Sequence, residues 1–239
     1  MIDVKRDGPV AVLSATDYGA LSRHDVAFAA ALRDAVVELA DSDEVKALVL
    51  RSTGNDFAPP LGADACVSPP FGAAWHAAYA ACNGLYQSLA FCKKIVVTAV
   101  RGRCHDAGSM LVLCSDHTVC AADSEFGSPF ERLPEANLVL AALTVRLNRA
   151  KSWMLAGQPW SARQACERGL VNRIEDVAAV DALALQMAHA AARTPLDGIA
   201  MSKIQIEALL DAQGAGTDFD AAGLFAQVVH LQDGSPKSR

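Results

Sequence analysis

Three groups of residues in this chain could do chemistry. The first is the run Arg101-Gly102-Arg103-Cys104-His105-Asp106-Ala107-Gly108-Ser109-Met110. An apolar, β-branched stretch from Ile95 to Val100 meets a turn at Gly102, passes through small residues and enters the apolar stretch Met110 to Leu113. That order predicts a strand, a tight turn and a helix start. Unpaired N–H groups at a helix start point at whatever lies before them, and small side chains let a ligand come close. The turn suits a developing oxyanion or a phosphate. His105 adds an imidazole useful near neutral pH and Asp106 adds a carboxylate. The competing reading is that Asp106 caps the helix while His105 meets solvent or a loop.

The second group is Glu131 and Glu135, four residues apart. Either a loop brings a carboxylate, Glu135 first, into an apolar pocket as a base, or Glu131 and Arg132 form a surface pair of little weight. The third is His76, Tyr79, Asn83 and Tyr86, spaced three, four and three apart and therefore on one helix face. On spacing alone these residues fit a helix–helix or subunit contact. The seven cysteines are odd in number and lack paired metal-ligand spacing, so they read as buried reduced thiols, and no metal site is expected. Arg101, Arg103, Lys93 and Lys94 read as solvated charges rather than firm phosphate ligands.

These groups need elements to hold them. Ile2 to Val4 and Val10 to Leu13, separated by Arg6-Asp7-Gly8-Pro9, predict a hairpin. Ser22 precedes a helical run with apolar positions from Val26 to Leu39, and Val45 to Leu50 predicts a buried strand. Strand, helix, strand implies a parallel pair with the helix covering one face. The turn-rich loop from Ser52 to Asp64 follows, where parallel sheets place their ligands. A helix from about Phe71 to Phe91 leads to the strand of the first group. Beyond it come a strand from His117 to Ala121, a loop from Ser124 to Phe130, and a helix from Asn137 to Arg149. Ser161 caps a helix ending near Gly169, and two further helices span Val177 to Arg193 and Leu196 to Leu210.

The chain of 239 residues is 52% hydrophobic, which suffices for a large core. A net charge of −6 with scattered positive residues speaks against nucleic acid. There is no signal-peptide pattern and no run of 18 apolar residues, so the expectation is a soluble, cytoplasmic protein without a membrane partner.

Taken together these residues resemble the crotonase (enoyl-CoA hydratase/isomerase) superfamily. The markers are Ala20-Leu21-Ser22, Asp56-Phe57, Gly62-Ala63-Asp64, Gly102 with Ala107-Gly108 and Asp116, Phe126-Gly127-Ser128-Pro129, and Leu155-Ala156-Gly157 through Gly169-Leu170-Val171-Asn172. The resemblance implies an α/β fold, a crotonase-type spiral of ββα units with a helical C-terminal region. It implies a core over residues 1–193 and a C-terminal helical segment and short tail over 194–239 that would assemble a homotrimer or hexamer. It also implies an acyl-CoA or acyl-carrier thioester as substrate, with coenzyme A entering as part of that substrate and no separate cofactor. Two backbone N–H groups would polarise the thioester carbonyl. The second maps onto Ala107. The first falls on Ala63 if Gly62-Ala63-Asp64 is matched, or on Leu61 if the count runs from Phe57. Leu61, Gly62, Asp64, His76, Tyr79, Met110 and Phe130 would line the acyl group.

Met110 and Phe130 stand where the family's hydratases carry their two glutamates, and neither can move a proton. Leu138 stands where some relatives carry an aspartate. Alkene hydration is therefore disfavoured, and Glu135, His105 or Asp106 would have to supply the acid or base. Two functions stay open: a thioester enzyme working through a backbone oxyanion hole, and a thioester-binding subunit that has lost catalysis.

Overall fold

In the computed structural model, residues 2–62, 73–131, 133 and 135–221 are described. Strands β1 (Asp3–Asp7) and β2 (Val10–Ala15) form the expected antiparallel hairpin, turned at Gly8 with φ +57. Strands β3 (Ala47–Ser52), β4 (Ile95–Val100), β6 (His117–Ala121) and β9 (Arg173–Glu175) then add in parallel, giving the order β1-β2-β3-β4-β6-β9. A second, small sheet joins β5 (Arg103–Cys104), β7 (Glu125–Phe126) and β8 (Trp160–Ser161).

Both faces of the main sheet are covered, which explains why β2 to β4 read as nearly continuous apolar runs. On one face Leu13, Leu48, Leu50, Val96 and Val100 pack under helices α2 (Val26–Asp41), α3 (Ala73–Ala90) and α4 (Ala107–Leu113). On the other, Val10, Val12, Val49, Val97 and Val119 meet Val180, Ala184 and Ala188 of α8 (Val180–Ala192). Fully burying each such side chain contributes about 1.5–3 kcal/mol before chain entropy is counted.

Local chemistry sets the helix boundaries. α2 starts at Asp25, whose side chain accepts a hydrogen bond from the N–H of Phe28 at 3.0 Å, and buries Ala29, Leu32, Val36 and Leu39. Ser22, three residues before that cap, ends the short helix α1 (Gly19–Ser22). The segment read as one helix from Asn137 is two, α5 (Leu138–Val145) and α6 (Leu147–Ala156), broken at Arg146 with φ +72. α7 (Ala162–Arg168) carries a capping box of Ser161 and Gln164 and ends at Gly169 in the left-handed region. α9 (Leu196–Ala212) is tied to the sheet through Lys203, whose ammonium lies 2.7 and 2.9 Å from the two carboxylate oxygens of Asp116. Residues 215–221 are helical. Among the described residues no helix is long and apolar enough to cross a membrane.

Candidate active site

The turn after β4 is locked to the loop after β3 by backbone hydrogen bonds. Phe57 N–H donates to Arg101 O at 2.8 Å, Ala58 N–H to Arg103 O at 2.9 Å, and His105 N–H to Ala58 O at 2.9 Å. Gly102, at φ +58, is needed because a Cβ there would collide with Asn55 and Asp56. Asp56 in turn accepts from the backbone and guanidinium of Arg103, which holds its carboxyl below the usual range although burial opposes the shift. Gly108 permits another close approach: a Cβ on it would stand 2.5 Å from that of Ala58. The two loops from which the resemblance draws oxyanion donors are therefore zipped together as far as Ala58. Leu61 is half-buried and Gly62 exposed, while Ala63 and Asp64 lie outside the described residues.

Ala107 opens α4 and is fully buried, as are the six residues after it. The residue before it, Asp106, takes φ +46, a region that is costly for a residue with a side chain and occurs mainly where surrounding structure enforces it. Asp106 sits at the N-cap position, but its side chain makes no cap hydrogen bond. The Ala107 N–H donates instead to Ser22 Oγ at 3.2 Å, with Ser22 itself fully buried. His105 turns elsewhere. Its Nε2 lies 2.8 Å from Glu125 Oε1, and its ring packs on Gly127, where any Cβ would collide with it.

The short turn that delivers Ser22 also delivers His24, which the sequence reading missed. His24 takes φ +51, is almost fully buried, and places Nε2 2.9 Å from Glu135 Oε1. Glu135 is completely buried, and its Oε2 has no hydrogen-bond partner among the described residues. The Cys82 thiol, on α3, donates weakly to Leu21 O at 3.9 Å and completes the cluster. A ligating atom from each of His24, Cys82 and Glu135 lies within 4.8 Å of the others. Burial, reinforced by the Glu135 charge, pushes the Cys82 thiol well above its ordinary range, and the same two causes raise the Tyr79 phenol. Tyr86, fully buried, is raised by burial first and then by Cys82 and Glu135 among its neighbours. Tyr79, Cys82 and Tyr86, spaced three and four apart, share one side of α3, and Cys82 is the member within 4.8 Å of Glu135.

The predicted face of α3 divides. Tyr79 Oη and Asn83 Nδ2 both donate to Phe219 O at 3.4 Å, so residues 215–221 cover this helix, whereas His76 is exposed. Asn137 caps α5 and also donates to Ala215 O at 2.9 Å, and Asp218 accepts from Val139 N–H. Met110 is buried in the core and Phe130 packs against it. The structure therefore brings together His24, Cys82 and Glu135, links Ala107 to the same turn through Ser22, and leaves His105 and His76 apart. The side chain of Glu131 lies outside the described residues.

A hairpin-led parallel sheet, a small second sheet and a helical C-terminal region around such a turn define the crotonase fold. The chain belongs to the enoyl-CoA hydratase/isomerase family, whose model matches residues 24–234. It is similar to a probable enoyl-CoA hydratase from Mycobacterium thermoresistibile, at 20% identity over 97% of each chain with a TM-score of 0.82. It is also similar to an enoyl-CoA hydratase/isomerase from Xanthobacter autotrophicus Py2, at 24% identity over 94% of this chain and 85% of that one, with a TM-score of 0.76. At these identities the likeness is one of fold. No curated protein matches this chain.

Proposed function

We propose that this chain processes an acyl-CoA or acyl-carrier thioester by stabilising a thioester enolate, with Glu135 and His24 moving the proton that the family's hydratases move with two glutamates. The observation that carries this reading is the fully buried carboxylate of Glu135 with its Oε1 2.9 Å from His24 Nε2. One turn, Leu21 to His24, touches both that pair and the Ala107 N–H through Ser22. Backbone N–H groups aimed at a developing oxyanion are a large catalytic contribution by themselves, so enolate chemistry survives the loss of the glutamates. The first donor of the hole, by the resemblance, would be Ala63 or Leu61, and Ala107 the second. Met110 and Phe130 supply neither of the two carboxylates that flank the hydratases' water, and Glu135 alone does not restore that pair, so this reading favours isomerisation, decarboxylation or hydrolytic C–C cleavage over hydration. Exposed Leu143, Leu147, Met201, Ile204, Ile206 and Leu209 on α5, α6 and α9 support assembly into a trimer or hexamer.

The test is a panel of acyl-CoA thioesters with products followed by mass spectrometry. Turnover of one member with negligible hydration of crotonyl-CoA is expected, and Glu135→Gln should lower kcat by about 100-fold or more. The contact of Ser22 Oγ with the Ala107 N–H favours a second reading, a subunit that binds thioesters without transforming them. Binding of several acyl-CoAs with turnover of none would select that reading, and absence of any binding would sink both.

A further inference from the structure

His24, Cys82 and Glu135 come from three separate segments, and their side chains converge in a fully buried space with ligating atoms within 4.8 Å of one another. An imidazole nitrogen, a thiolate sulfur and a carboxylate oxygen form a donor set suited to Zn²⁺. In a tetrahedral zinc site with the usual bond lengths, ligand atoms stand about 3.3–3.8 Å apart, so this cluster needs only small shifts to close on an ion. Glu135 Oε2 is buried without a hydrogen-bond partner among the described residues, a costly arrangement that a cation would relieve. Charge also balances. A divalent ion meets one carboxylate and one thiolate, and the thiol proton leaves as the metal enters. We propose that this chain binds one Zn²⁺, or a cation of the same class, through His24 Nε2, Cys82 Sγ and the Glu135 carboxylate. Three protein ligands leave a fourth coordination position for water or a ligand.

The site stands on this cluster alone and does not require the thioester reading. Its effect on turnover does rest on that reading: a metal-bound Glu135 and His24 are withdrawn from proton transfer, so zinc is expected to silence whatever activity the metal-free protein shows.

The test uses the full chain, stripped with a chelator and titrated with Co²⁺. One equivalent should give visible d–d bands of tetrahedral intensity and a thiolate-to-cobalt charge-transfer band, both displaced by one equivalent of Zn²⁺. Cys82→Ala should abolish the charge-transfer band. Glu135→Gln should weaken zinc binding by at least about 100-fold, because even outer-shell changes cost 10–100-fold. Failure of the wild-type chain to bind Co²⁺ or Zn²⁺ stoichiometrically overturns the proposal, and so does a charge-transfer band that survives in Cys82→Ala. Circular dichroism on each variant separates loss of the ligand from loss of the fold. Because the readout is spectroscopic, a chain that binds zinc but turns over no thioester keeps this proposal and loses the other.

Discussion

The hydroxyl of Ser22 accepts the backbone N–H of Ala107 at 3.2 Å, and both residues are completely buried. A serine oxygen therefore lies where the proposed reading places a thioester oxygen, and a substrate must displace it. Ser22→Ala leaves that N–H open. The variant should bind an acyl-CoA more tightly by about 5-fold, from the roughly 1 kcal/mol of a neutral hydrogen bond no longer broken. Without ligand it should be less stable by about 1–3 kcal/mol, because a buried donor loses its partner. Calorimetric titration and thermal denaturation read the two effects, and unchanged affinity would separate Ser22 from the binding site.

Gly108 has no room for a side chain against Ala58 and Cys104. Gly108→Ala should lower stability by about 1–3 kcal/mol through overpacking, and it should push the loop after β3 away from α4. The expected signature is a reduced denaturant midpoint together with weakened acyl-CoA binding. A midpoint equal to that of the parent chain contradicts the close approach.

Lys203 and Asp116 are a largely buried ion pair in which the carboxylate also accepts the N–H of Val96. Lys203→Met removes one charge and strands the other, so urea denaturation should show a loss of about 3–5 kcal/mol. Lys203→Arg should recover part of it. A loss below about 0.5 kcal/mol for Lys203→Met would mean that α9 is held by other contacts.

The Asp56 carboxyl is held below its ordinary value chiefly by the side-chain hydrogen bonds of Arg103. A carboxyl depressed in the folded state stabilises the fold above its unfolded pKa, about 3.9, and that contribution is lost as pH falls through the folded value. Acid titration of stability below about pH 4 should therefore be shallower in Arg103→Met than in the parent chain. Equal slopes would show that the pair is too exposed to matter.

The hairpin, the parallel strands and the strand–turn–helix at Gly102 to Ala107 were legible in the sequence, because β-branched runs and a glycine turn report local backbone preference directly. The start of α2 was legible only to within a few residues, since Ser22 precedes the helical run but Asp25 caps it, while Ser22 meets the Ala107 N–H. The break at Arg146 has no Gly or Pro to announce it. His24, in the polar run Arg23-His24-Asp25, carries no apolar periodicity that would mark it as buried, and it takes a positive φ that composition does not encode. Cys82 was findable. It lies three residues after Tyr79 and four before Tyr86, on the same face of α3.

The carbonyls of Ala215 and Phe219 and the carboxylate of Asp218 bind Asn137, Tyr79, Asn83 and Val139, spanning 78 to 140 residues of chain. These contacts set an order of events during synthesis. The sheet and its first helices can form while the ribosome is still translating, but α3 and α5 gain their cover only after residue 219 emerges. Such long-range closures come late and slowly in folding. A nascent chain therefore leaves the Tyr79 and Asn83 side of α3 open until residue 219 has left the ribosome, the interval in which a chaperone or an early-bound ligand has access to it.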